Sequence, residues 1–126
     1  METVNVQGAP AAIGPYCQAV KTGNLLFCSG QIPLDPDTMT LTGTTIEEQS
    51  KQVLENISTV LEGTGLSLKN IVKTTVYLLN MSDFQGMNRI YEAMFDGHKP
   101  SRTTISIKQL PLDALVEIEC IAECQK

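Results

Sequence analysis

The chain has 126 residues, 42% of them hydrophobic and 18% charged, which is the composition of an ordinary globular domain. Nine basic and fourteen acidic residues give a net charge of −5, and no Lys/Arg cluster is present, which argues against nucleic-acid binding. The apolar runs are far shorter than the ~20 residues of a membrane span, and residues 1–6 do not resemble a signal peptide. We therefore predict one cytoplasmic domain over residues 1–126, without a membrane partner.

The first predicted element is a β-hairpin. Residues 18–21 and 25–29 are short β-prone runs, and Thr22-Gly23-Asn24 between them is a turn signal. The prolines and aspartates of residues 31–37 then predict a loop.

A helix follows, because Thr45-Ile46-Glu47-Glu48 has the pattern of a capping box. Apolar residues recur beyond it at helical spacing, and Gly63 and Gly65 predict its end.

The second half predicts a strand, a helix and two strands. Residues 71–79 form a β-branched run, and Ser82-Asp83-Phe84-Gln85 predicts a second capped helix that ends at Gly97. Residues 103–107 and 115–124 are the last predicted strands.

This order predicts an α+β fold in which two right-handed crossovers place both helices on one face of a mixed sheet. Residues 71–79 are apolar on both parities, with Val72, Val76 and Leu78 on one and Ile71, Tyr77 and Leu79 on the other. A sheet that is apolar on both faces, with helices for only one, predicts a homo-oligomer packed sheet to sheet.

Alternation sorts the charged residues of the last two strands. Val116, Ile118, Cys120 and Ala122 are apolar and are expected to face the helices, which leaves Glu117 and Glu119 on the opposite face. Ile105 and Ile107 are assigned to the helix face with Thr103, so Arg102, Thr104 and Ser106 are predicted to share the face of the glutamates. An arginine beside carboxylates there suggests a site for a small anion with acid–base chemistry, although a plain intersubunit salt bridge fits the same residues.

Three further groups are candidate ligand contacts, each with a structural alternative. Tyr16 follows a Gly-Pro turn and is either a ligand contact or a loop aromatic that covers the core. Ser29-Gly30-Gln31 allows close backbone approach by a ligand or is an ordinary turn. Asn88 flanks the apolar stripe of its helix and is either a ligand contact or a structural hydrogen-bonding residue.

The cysteines predict no metal site. Cys17, Cys28, Cys120 and Cys124 form no CxxC pair, and the single histidine, His98, is far from them in sequence. We interpret them as reduced, buried or partly buried thiols, and His98 as a solvated residue without a role.

Eight short motifs together resemble the RidA branch of the Rid family, the reactive intermediate imine deaminases formerly named endoribonuclease L-PSP. The resemblance covers about residues 5–123, and its motifs occur in this order: Ala12-Ile13-Gly14-Pro15-Tyr16, Ser29-Gly30-Gln31-Ile32-Pro33, Val72-Lys73-Thr74-Thr75-Val76, Asp83-Phe84, Asn88 with Tyr91, Pro100-Ser101-Arg102, Leu110-Pro111 and Glu117-Ile118-Glu119.

The resemblance implies a chorismate-mutase-like fold, a last strand inserted between earlier ones, and a homotrimer with clefts between subunits. It also implies hydrolysis of 2-aminoacrylate and related 2-imino acids to 2-keto acids and ammonia, the 2-iminobutanoate/2-iminopropanoate deaminase reaction, without a metal or organic cofactor.

The resemblance also assigns site residues. It implies that Arg102 holds the substrate carboxylate and that Glu117 orients or activates water, both as catalytic residues. The pocket-lining positions that match are Tyr16, Ser29, Gly30, Asn88 and Thr104; many members of the family have cysteine at the position of Thr104. Glu119 is left as a structural partner.

Two other functions remain open from sequence. The older family name suggests an endoribonuclease or translation inhibitor, against which the net charge and the isolated His98 argue. A non-catalytic trimer that binds small ligands in the same clefts is the other alternative.

Overall fold

The computed structural model describes residues 1–124, which form one six-stranded sheet and two α-helices. The strands and helices are β1 (Glu2–Val4), β2 (Ala19–Thr22), β3 (Leu25–Gln31), α1 (Ile46–Glu62), β4 (Ile71–Leu78), α2 (Phe84–Phe95), β5 (Ser101–Ser106) and β6 (Val116–Glu123).

The sheet has the order β1-β2-β3-β6-β4-β5 and is mixed. β4 and β5 are parallel, and every other pair is antiparallel. The last strand therefore lies between β3 and β4, and the α+β class with its inserted strand is confirmed. The short strand β1 was not predicted, because three residues give too few alternations to recognise.

The two helices differ in how they begin. Thr45 and Glu48 form the predicted capping box at the start of α1, which ends at Glu62 before Gly63. The predicted start of α2 at Ser82 is wrong, because Met81–Asp83 form a 3-10 turn and α2 begins at Phe84 without a side-chain cap.

Both helices pack on one face of the sheet, as predicted. The core lies between the helices and this face of the sheet. Val116, Ile118, Cys120 and Ala122 of β6 are all buried there, which confirms their assignment to the helix face. Full burial of a side chain as large as Val116 or Ile118 contributes roughly 1.5–3 kcal/mol relative to exposure. We call the other side of the sheet the open face.

A β-bulge changes the predicted faces of β4. The β4–β6 register shifts between Ile71 and Lys73, so Ile71 is buried while Val72 is 42% exposed. The assignment of Val72 to the parity of Val76 and Leu78 is therefore wrong. From Thr74 onward the alternation is regular, so Thr74 is fully buried on the helix face with Val76 and Leu78.

The four cysteines are free thiols, as predicted. Cys28 and Cys120 are buried opposite each other on β3 and β6, and Cys17 and Cys124 are partly buried. Of the helices in residues 1–124, none has the length and apolar character needed to cross a membrane.

Gln18 fastens the segment before β2 to the body of the domain. Its side chain is buried, accepts a hydrogen bond from Val6 N at 2.6 Å, and donates to Val6 O at 3.3 Å and to Pro10 O at 2.9 Å. Its backbone N–H also donates to Asn5 Oδ1 at 3.1 Å. This amide positions the segment that carries Tyr16.

We expect Gln18→Leu to lower the free energy of unfolding by about 2–3 kcal/mol, because it leaves buried backbone groups without partners. Chemical denaturation measures this loss. Gln7→Leu, at an exposed position of the same segment, is the matched control and is expected to change stability by less than about 0.5 kcal/mol.

Candidate functional site: an arginine pocket and a glutamate pocket

Arg102 lies on the helix face, and the prediction that it shares a face with Glu117 is wrong. In the parallel β4–β5 register, Arg102 is opposite Thr74 and Thr104 is opposite Val76, both of which are buried under the helices. Ser106 shares this face, opposite Leu78, whereas Thr103 and Ile105 lie on the open face. The prediction failed because it required the helix face to be apolar, but an arginine stem packs readily on apolar surface at an edge strand.

Helix α2 holds the Arg102 guanidinium with three side chains from one of its faces. Nη1 donates to Asn88 Oδ1 at 2.7 Å, and the guanidinium carbon lies 5.5 Å from the Phe84 ring centroid and 4.8 Å from that of Tyr91. Their spacing of four and three residues places them along one stripe of the helix. Within the described part of the chain, no carboxylate lies within ion-pair distance of Arg102.

The Tyr91 side chain is held in place by a hydrogen bond to strand β4. Its hydroxyl and that of Thr74 form a buried hydrogen bond of 2.7 Å, and burial raises the pKa of the Tyr91 phenol. The ring is therefore a rigid support for the guanidinium. The remaining N–H groups of Arg102 are available to a cavity of about 480 Å³, which Asn88 and Tyr91 also line.

The prediction that His98 is a solvated residue is wrong, because His98 lies partly buried at the same cavity. Its Nε2 is 2.7 Å from Ile71 O, and its ring packs 6.0 Å from that of Phe95. Sequence did not reveal this contact, because Ile71 is 27 residues away. The contact ties the loop before β5 to the start of β4.

Glu117 lies on the open face and lines a second cavity of about 500 Å³. Tyr16, Ser29 and Gly30 line the same cavity, so the structure brings these predicted residues together. Ser29 Oγ donates to Cys17 O at 2.7 Å, which joins the floor of the cavity to the segment that presents Tyr16.

The Glu117 carboxyl sits directly over Gly30. A Cβ built on Gly30 would overlap Glu117 Oε2 and approach Cδ to 3.0 Å, so only glycine leaves this space free. The β3–β6 register shifts between Cys28 and Gln31, and this bulge carries Gly30 to the carboxyl. Burial, followed by the charge of Glu119, raises the pKa of the Glu117 carboxyl above its ordinary value.

Gly30→Ala is expected to displace the Glu117 carboxyl while the fold survives, because the overlapping group is a side chain that can rotate. We expect a loss of about 1–3 kcal/mol in the free energy of unfolding and a loss of any activity that requires Glu117. Because both changes act on one group, activity of the Gly30→Ala/Glu117→Gln double variant is expected to match that of Glu117→Gln. Additive losses would contradict this coupling.

Thr104 is near Arg102 and not near Glu117. It lies two residues beyond Arg102 on the same face of β5, and its Oγ1 is buried without a hydrogen-bond partner among residues 1–124. A buried hydroxyl without a partner is unusual and is available to a ligand or water.

One chain therefore holds two half-sites on opposite faces of its sheet. Arg102, Asn88 and Thr104 belong to the helix face, and Tyr16, Ser29, Gly30 and Glu117 to the cavity on the open face. The contacts of Phe84 and Tyr91 with Arg102 were not predicted, although the spacing of both residues with Asn88 is visible in the sequence. Among the described residues, no three His, Cys, Asp or Glu side chains are grouped to hold a metal ion.

Comparison with known proteins places the chain among relatives that match it over nearly its full length. The family model of endoribonuclease L-PSP matches residues 6–124. A RutC family protein of Pyrococcus horikoshii is 48% identical over 96% of both chains, and 2-iminobutanoate/2-iminopropanoate deaminase of Salmonella typhimurium is 42% identical over 96% of both.

A solved structure of similar fold is that of E. coli TdcF with bound serine, which has a TM-score of 0.94 and 37% identity, and the match covers 99% of this chain and 100% of TdcF. The chain belongs to the endoribonuclease L-PSP family, which is the Rid/YjgF family.

Proposed function

We propose that this protein is a 2-iminobutanoate/2-iminopropanoate deaminase, which hydrolyses reactive 2-imino acids to 2-keto acids and ammonia. The observation that carries the proposal is the Arg102 guanidinium, which α2 holds in a fixed orientation and which has no carboxylate partner among residues 1–124. The 42% identity to the Salmonella typhimurium deaminase supports the same reaction class.

Arg102 is the group that binds the substrate carboxylate. A planar guanidinium forms two parallel hydrogen bonds with a carboxylate, and each charge-assisted bond contributes about 1.5–3 kcal/mol. Asn88 occupies one side of the guanidinium and the two aromatic rings hold its plane, so the binding geometry exists before the ligand arrives.

Glu117 is the group that moves protons. In the iminium form of the substrate, water adds to the carbon as Glu117 takes one water proton, which gives a neutral carbinolamine. Glu117 passes that proton to the amino nitrogen, and the hydroxyl proton returns to Glu117 as the carbon–nitrogen bond breaks, which releases the 2-keto acid and ammonia. A carboxyl whose pKa is raised by burial suits both steps, because it holds and releases a proton nearer to neutral pH. Tyr16, Ser29 and Gly30 line the space beside it.

The complete site is formed between two copies of the chain, because Arg102 and Glu117 lie on opposite faces of one sheet. We propose a homotrimer in which the open face of each subunit is covered by its neighbours. Exposed apolar side chains on that face support the proposal, since Phe27 and Ile105 are each 41% exposed. Small 2-imino and 2-keto acids are the proposed ligands.

The test is the release of 2-keto acid and ammonia from 2-aminoacrylate generated in the assay by a dehydratase. We expect the protein to accelerate release above the spontaneous rate, and Glu117→Gln to remove the acceleration. Tight binding of 2-keto acids without acceleration would overturn catalysis and favour a ligand-binding trimer. The structure of TdcF with bound serine shows that a relative accommodates an amino acid.

An endoribonuclease is less well supported by the site. The net charge is −5, and the cavity at Glu117 contains neither a histidine nor a basic side chain among its lining residues. RNA binding requires positive charge along a surface, which this chain does not concentrate there.

A further inference from the structure

Glu119 has a partner that the proposed reaction does not use. The residue lies two positions beyond Glu117 on β6, so both side chains project from the open face, and both line the same cavity. The Tyr77 hydroxyl donates to Glu119 Oε2 at 2.9 Å.

The register of β4 and β6 explains why this contact matters to Glu117. Tyr77 is directly opposite Glu117, yet its hydroxyl reaches diagonally to Glu119. The hydrogen bond raises the pKa of the Tyr77 phenol, so the phenol stays a donor to the Glu119 carboxylate. A fixed negative charge is thereby held beside the Glu117 carboxyl.

We propose that Glu119 is the positioning residue of the glutamate half-site: anchored by Tyr77, its negative charge disfavours ionisation of Glu117 and keeps Glu117 able to hold the proton that the reaction moves. The role of Glu119 in the reaction rests on the proposed deaminase function. The effect of Glu119 on Glu117 does not, because it can be measured without substrate.

Within the described residues of one subunit, Glu119 is the other charged side chain that lines the cavity at Glu117. Glu117 is flanked on β3 by Ser29 and Gly30, which are uncharged, and Tyr16 also lines the cavity. On β4 the basic group is Lys73, which lies four residues before Tyr77, or about 13 Å along the strand. Charge repulsion from Glu119 adds to burial, and among residues 1–124 of the same subunit no cation forms an ion pair with Glu117. In the proposed assembly the neighbour's Arg102 faces the same site, and it is unchanged in every variant compared below.

The direct test is the pH titration of Glu117 in the assembled full-length protein, followed by carboxyl carbon NMR and assigned with Glu117→Gln. It needs no substrate, so it is independent of whether the protein is a deaminase. Glu119→Gln keeps the shape and the acceptor for Tyr77 but removes the charge. We expect the Glu117 midpoint to move to lower pH, while Glu119→Asp, which restores the charge, largely reverses the shift.

Glu123→Gln is the matched control, since Glu123 is an exposed glutamate of the same strand and parity, about 20 Å from Glu117. We expect it to leave the midpoint unchanged. If Glu119→Gln does not fold, Tyr77→Phe releases the anchor and is expected to move the midpoint in the same direction by less. An unchanged Glu117 midpoint in the folded variants, or an equal shift in Glu123→Gln, would overturn the proposal.

The pH dependence of kcat/KM is expected to shift in the same direction as the titration midpoint of Glu117. If Glu117 must be ionised to accept the proton of water, the acid limb of kcat/KM lies at its titration midpoint. Glu119→Gln is then expected to move that limb to lower pH. A purely structural role for Glu119 would lower kcat/KM at all pH values without moving the limb, and that result would also overturn the proposal.

Discussion

Arg102→Ala is expected to lower kcat/KM for 2-imino acids by about 10²- to 10⁴-fold, because it removes two charge-assisted hydrogen bonds to the substrate carboxylate. The loss should appear in binding of 2-keto acids as well, which isothermal titration calorimetry measures without turnover. Arg102→Lys keeps the charge but not the planar pair of donors, so we expect an intermediate loss.

The fold is expected to tolerate this change. The Arg102 guanidinium contacts the rings of Phe84 and Tyr91, and such contacts contribute about 0.5–1 kcal/mol each at partly exposed sites. A small change in the free energy of unfolding with a large change in kcat/KM is therefore the expected signature of a binding group.

Arg89→Ala is the matched control on the same helix. Arg89 follows Asn88 in sequence, but its side chain is 66% exposed and pairs with Glu47 at 2.7 Å, away from the arginine pocket. We expect kcat/KM within about twofold of wild type, since an exposed ion pair contributes little. Equal losses in Arg89→Ala and Arg102→Ala would contradict a specific role for Arg102.

Local patterns predicted much of the fold. The Thr45–Glu48 capping box, the two long helices and the apolar parity of β6 all rest on interactions within a few residues, which sequence displays directly. The inserted position of β6 came only from the family resemblance, because strand pairing depends on contacts between distant parts of the chain.

The face of Arg102 was not predictable by the same means. Alternation gives the two faces of a strand but not which of them meets the helices, and Ile105 of β5 was assigned to the wrong one. The bulges at Val72 and at Gly30 also change parity without a signal in the local pattern. Arg102 and Glu117 were therefore predicted to share one face of the sheet, whereas they lie on opposite faces.

This division of the site makes a strong prediction about mixed assemblies. Arg102→Ala leaves the glutamate pocket intact, and Glu117→Gln leaves the arginine pocket intact, on the opposite face of the sheet. Each variant alone forms an assembly in which every site lacks one catalytic group. An assembly of both contains some sites in which the two intact pockets meet.

The decisive measurement is therefore the deaminase activity of Arg102→Ala and Glu117→Gln subunits, unfolded together in equal amounts and refolded into mixed assemblies. If each site takes Arg102 from one subunit and Glu117 from its neighbour, random mixing in a symmetric ring restores both groups in about one quarter of the sites. We predict about one quarter of wild-type activity from two variants that are each inactive. Mixed assemblies that form but remain inactive would contradict a site shared between subunits.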